Sequence, residues 1–142
     1  MVTRKPRLWR DRGAAAVEFA LLVGPLVMLI FGSIEFGLAV QAKTMLENSA
    51  REGVRMASLV GASDGNVAVQ EVKNTVTSAL SAVPGLVVDP NQIVVTCTPG
   101  PCVMGTAKAG SVASVQVTVQ YKGVTGFLPT ATLTASSTMR IE

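Results

Sequence analysis

Two carboxylates stand where carboxylates are costly. Glu18 interrupts an apolar run that resumes at once and continues without a charge through residues 19–34, and Glu35 closes it. An acidic side chain at mid-membrane costs about 2.5–3.5 kcal/mol, and less toward the edge, so each needs a partner or an interface. Cys97 and Cys102 are the only thiols, separated by T-P-G-P, a string that turns. There is no histidine, which excludes a His-based triad, a His general base and a His-containing metal site. Two cysteines do not make a four-ligand zinc site. The stretch GASDGN lacks the lysine and preceding strand of a phosphate loop, and no nucleophile–base set is visible. These residues point to no enzyme, no metal and no cofactor.

The element that positions both acids is the apolar run itself. Counted from Ala14 to Ile34 it has 21 residues with Glu18 as its one charge. At about 1.5 Å per helical residue this spans about 31 Å, the thickness of a hydrocarbon core. Ahead of it Arg4, Lys5, Arg7, Arg10 and Arg12 face the single Asp11, a basic leader that holds the N-terminus on the cytoplasmic side and leaves the C-terminal domain extracytoplasmic. The formal charge of +3 resides there, since residues 14–142 carry seven Lys and Arg against eight Asp and Glu. The basic pI therefore reads as a topology signal and not as a nucleic-acid patch. Three segments follow: a leader (1–13) too polar to form an element, a long helix (14–60) crossing a bilayer with its first half, and an extracytoplasmic domain (61–142).

The small residues Gly13, Ala14 and Ala16 stand ahead of the charge-free run 19–34, whereas a secretory signal has its small residues after its apolar run. A cut between Gly13 and Ala14 removes the leader and creates an α-amine one helical turn from Glu18, within pairing distance of that acid in the same or a neighbouring subunit. The alternative is that Glu18 and Glu35 bracket a short span and both reach its interfaces. Ala16, Ala20 and Gly24 form a smooth face suited to helix packing, although Ala and Gly are common in any membrane helix. Pro25 removes one helical hydrogen bond, so a bend is expected.

Past Val40 the pattern stays helical, with Ala42, Met45, Leu46, Ser49, Gly53, Met56, Ala57 and Val60 on one side and Lys43, Glu47, Arg51 and Arg55 on another, including a Glu47–Arg51 pair. Arg51, Glu52, Arg55 and Glu35 are candidate subunit contacts, or for the charged face a solvated surface. GASDGN is a loop, with Asp64 a candidate cap. Val69, Val72, Val76, Leu80 and Val83 predict a second amphipathic helix over about 66–83, stopped by Pro84 and Gly85. Strands are expected at about 92–98, over 111–122 with Val115, Val117, Val119 and Tyr121 on one face, and over 131–142. In an oxidising compartment Cys97 and Cys102 are expected to pair across their turn.

The strings R-D-R-G-A-A-A-V-E-F-A-L-L, I-E-F-G and A-R-E-G-V-R-M-A resemble the TadE-like family of tight-adherence (Flp-type) pilus pseudopilins over Arg10 to about Ala57, with a weaker echo in T-L-T-A-S-S-T-M-R-I-E. Residues 63–127 carry no motif of that family. The resemblance implies processing by a prepilin peptidase after Gly13, Glu18 as the fifth mature residue, and a role in assembling a type IV pilus. Its partners would be the pilus assembly platform and other pilin-like subunits, with the protein in the lipid bilayer and then in surface pili. The fold expected is α+β, a pilin-like ladle: a long N-terminal transmembrane helix, a second amphipathic helix and a small antiparallel sheet. The competing reading is an uncleaved signal-anchored envelope protein whose extracytoplasmic domain is a binding module. A leader that ends in small residues, followed by an acid, distinguishes the two.

Overall fold

A single helix, α1 (Leu8–Leu59), runs from the leader into the domain without interruption at Pro25. The computed structural model describes residues 8–59, 65–98, 111–124, 126 and 129–141, with the backbone alone at 8–12, 59 and 65–68. Helix α1 begins at Leu8 rather than Ala14, so the C-terminal part of the expected leader is helical. Extending an existing helix costs far less than nucleating one, so a single glycine, Gly13, between Pro6 and the apolar run does not stop it. One missing hydrogen bond at Pro25 does not end a helix this long.

The two halves of α1 meet different surroundings. Residues 13–34 are exposed except for half-buried Val23, with Leu22 72% and Leu26 56% exposed. In the second half Ala42, Leu46, Ser49, Ala50, Gly53 and Val54 are buried. Met45, expected on that face, is exposed instead, and Ala50 and Val54 belong to it. The buried face is wider than a single apolar row because two elements, a helix and a sheet, pack against it. The charged side also departs from expectation, since Glu47 pairs with Lys43 at 3.5 Å rather than with Arg51.

Helix α2 (Gly65–Ser81) buries Val72, Val76 and Leu80. Its β-branched content makes it a weak helix alone, so packing must hold it. Gly53 is where α1 and α2 press together: a Cβ there would lie 2.9 Å from Val76 Cγ2 and 3.4 Å from Val115 Cγ1. Val60 and residues 61–64 of the expected GASDGN loop, Asp64 among them, lie outside the described residues, while its last two, Gly65 and Asn66, already belong to α2.

After α2 the chain forms β1 (Leu86–Val87), a 3₁₀ turn (Pro90–Gln92), β2 (Ile93–Thr98), β3 (Val112–Tyr121) and β4 (Ala131–Arg140). All pairings are antiparallel, and β3 is central. Strand β4 pairs with its whole length, from Val112 opposite Arg140 to Tyr121 opposite Ala131. On its other side β1 pairs at Tyr121 and Gln120, and β2 from Val117 to Val112. Together β1 and β2 form one edge strand interrupted by the 3₁₀ turn. Pro90 has no N–H for the ladder, and Asp89 caps the turn by accepting from Asn91 N–H at 2.9 Å.

Both helices cover one face of the sheet, where Ile93, Ala113, Val115, Val117, Val119 and Ala135 join Leu46, Ala50, Val54 and the α2 valines in one core. Gln116, Gln120, Thr132, Thr134 and Ser136 face away and are exposed. The architecture is the expected α+β ladle, an apolar handle carrying two helical segments over a small antiparallel sheet.

Candidate functional site

The acid at the domain end of the handle is buried. Glu35 is 0% exposed, although the helix around it is bare. Alternation along β3 turns Ala113, Val115, Val117, Val119 and Tyr121 toward the helices, so Tyr121 is the last inward residue before the chain leaves the strand. Its hydroxyl donates to Glu35 Oε1 at 3.3 Å, and Val124 N–H donates to the same oxygen at 2.8 Å. Hydrogen bonds to a carboxylate are about twice as strong as neutral ones and offset the desolvation that burial imposes.

Gly85 makes room for this arrangement. Its φ of +80° is open to glycine, and a Cβ would sit 2.6 Å from the Lys122 carbonyl and 3.0 Å from the Tyr121 ring. Its own carbonyl accepts from Lys122 N–H at 2.7 Å. The Tyr121 hydroxyl is pushed above its ordinary pKa by burial first, then by the Glu35 charge and by the hydrogen bond it donates to that carboxylate. A carboxylate enclosed between a strand end and a backbone amide is a clasp between handle and bowl. Glu35, a candidate subunit contact on sequence grounds, is thus enclosed within its own chain.

The other acid is placed in the opposite way. Glu18 is exposed on α1, as are Gly13, Ala14, Ala16, Ala20 and Gly24. A Cβ on Gly13 or Gly24 would meet nothing within 4 Å. The stretch from the expected cut to the small-residue face is thus free of contacts from the rest of the described chain, and the structure does not bring it to the clasp. Arg51, Glu52 and Arg55 are exposed on the side of α1 away from the core. Arg55 Nε lies 3.2 Å from Glu52 Oε2, a local pair one turn apart. Exposed pairs of this kind contribute little to stability.

Cys97 sits near the end of β2 opposite Ala113, and Thr98 of the T-P-G-P string ends the strand, while Cys102 and residues 99–101 lie outside the described residues. The partner of Glu35 was the functional feature that the sequence did not disclose. Its one signal was the chain's only tyrosine, set at the end of an alternating strand.

Against known families, residues 13–55 match the model described as TadE-like protein. That segment of the long helix is similar to the family. The matched segment starts at Gly13 and ends at Arg55, so it contains Glu18, the small-residue face, Glu35 and the Arg51–Glu52–Arg55 surface, while α2 and the sheet lie beyond it. No curated protein and no solved structure matches the chain. A segment of this similarity suggests involvement in tight-adherence pilus systems. The one helix long and apolar enough to cross a membrane among the described residues is the TadE-like one, and it fits a single-pass anchor.

Proposed function

We propose that this protein is a pilin-like subunit, a minor pilin or pseudopilin, of a tight-adherence type IV pilus. The observation that carries the reading is the TadE-like match over 13–55 on a helix whose first half is bare and apolar and whose second half carries a folded domain. In this reading the N-terminus is cytoplasmic and the domain is extracytoplasmic. A prepilin peptidase cuts between Gly13 and Ala14, and the new amine pairs with Glu18 as the subunit is passed to the assembly platform. The Ala16, Ala20 and Gly24 face then packs against other pilin-like subunits, with Arg51, Glu52 and Arg55 as further contacts. Cys97 and Cys102 form a disulfide at the β2–β3 connection, a reading supported by the absence of any free cysteine among the described residues.

A second reading, an uncleaved signal anchor bearing a binding module, has one observation in its favour: α1 is continuous through Gly13, so a peptidase must first open a helical turn there. N-terminal sequencing of protein from a host with the matching peptidase separates the two. A terminus at Ala14, and a longer membrane-bound precursor for Gly13→Leu, support the pilin-like reading. A terminus left at Met1 or Val2 supports the anchor, and a cut near Ala39 to Ala42 supports a secreted domain.

A further inference from the structure

We propose that the domain rests on the bilayer through the end of the sheet held by Glu35, with Phe36 and Val124 at the boundary between hydrocarbon and headgroups and Lys122 reaching the lipid phosphates. The inference rests on the single-pass anchor reading of α1 and adds a second contact with the same membrane.

The argument is one of depth. A hydrocarbon core of about 30 Å takes about 20 helical residues, so a span that enters at Ala14 leaves near Ile34. Glu35 is the next residue, and Val124 N–H lies 2.8 Å from its carboxylate. The chain leaving β3 is therefore fixed at the level where the helix leaves the lipid.

Strand β3 runs antiparallel to α1, with Tyr121 against Glu35 at one end and Ser58 against Met139 of the neighbouring strand at the other. One end of the bowl thus meets the membrane while the other points away. At the near end the exposed apolar surface of the handle continues onto the domain: Ile34 is 50%, Phe36 69% and Val124 55% exposed. Aromatic and apolar side chains at this depth partition into the interface. Lys122 is exposed beside them, and its long stem lets the ammonium reach anionic phosphates while its methylenes stay on the apolar surface.

The test uses the full chain in proteoliposomes of mixed zwitterionic and anionic lipid, with the only tryptophan removed by Trp9→Phe. Single reporters are placed by Leu26→Trp, Val124→Trp, Lys122→Trp or Val112→Trp, and lipids carry bromines either near the headgroup or deep in the chains. Val124→Trp and Lys122→Trp should lose roughly half their fluorescence to shallow bromines, Leu26→Trp a similar share to deep ones, and Val112→Trp at the far end of β3 should be quenched by neither. Adding Glu35→Gln should bring Val124→Trp toward the Val112→Trp level while leaving Leu26→Trp unchanged. If Leu26→Trp is quenched but neither Val124→Trp nor Lys122→Trp is, the seat is overturned and the anchor stands. If Leu26→Trp is not quenched, the anchor fails and the seat with it. Shielding of Val124→Trp that depends on protein density and not on bromine would assign the surface to a second copy, against the proposal.

Discussion

Glu35 and Tyr121 form a pair that solution chemistry can read directly, because Tyr121 is the only tyrosine. Burial, the Glu35 charge and the hydrogen bond all raise the pKa of the phenol above its ordinary 10.0. A phenol whose pKa is higher folded than unfolded adds stability that is fully present below the unfolded value and is lost as pH rises through the folded one. The midpoint of phenolate absorbance should therefore lie above pH 10.0 in the folded protein, and the unfolding midpoint should fall across that same alkaline window. Glu35→Gln should move the absorbance midpoint down without returning it fully, since burial remains. Its stability loss should be about 1.5–3 kcal/mol, the usual worth of a hydrogen bond to a charged group. A midpoint unmoved by Glu35→Gln would mean that the pair does not form in solution.

Gly53 sets the distance between α1, α2 and the sheet. A Cβ 2.9 Å from Val76 Cγ2 cannot be relieved by rotation alone, because Val is stiff at χ1 in a helix. Gly53→Ala should cost about 1–3 kcal/mol by overpacking, despite the better helix propensity of alanine. Paired with Val76→Ala, which removes the opposing methyls, it should cost less than the sum of the two single changes, as urea midpoints in detergent would show. Strict additivity would mean that the helices are farther apart than the structure has them. Gly85→Ala should be destabilising for a different reason, the positive φ and the nearby Lys122 carbonyl.

The whole molecule is a bare apolar rod with a folded end, and its two proposed chemical events lie at opposite ends. At the handle, Glu18→Ala should leave membrane insertion intact, since it makes the span more apolar, yet lower recovery in sheared pili. Normal recovery there would favour an interfacial role for Glu18. In the bowl, alkylation of protein from the native envelope should label neither Cys97 nor Cys102 until reductant is added, and reduction should cost about 2 kcal/mol, the low end for a short loop. Full labelling without reductant would rule the disulfide out.

Much of the fold was legible because periodicity is local. Val115, Val117, Val119 and Tyr121 alternate whatever they face, and Val72, Val76 and Leu80 recur at helical steps before any partner is known. Hydropathy alone marked residues 14–34 as a span, and the strings around Glu18, Glu35 and Arg51 carried the TadE-like resemblance. Tertiary structure decided the rest. It made Ala50 a core residue in place of Met45, because the buried width of a helix depends on how many elements pack on it. It added β1 beside the end of β3, a strand too short to read from the sequence, and broke that edge at Pro90, where a missing N–H matters only once the neighbouring strand is known. Above all it gave two similar acids different fates: Glu18 stays on a bare helix, while Glu35 is enclosed by a tyrosine 86 residues away and an amide 89 residues away. Spacing along a chain says nothing about contacts made at that separation, since only closure of the β3 end onto α1 brings the donors to the carboxylate.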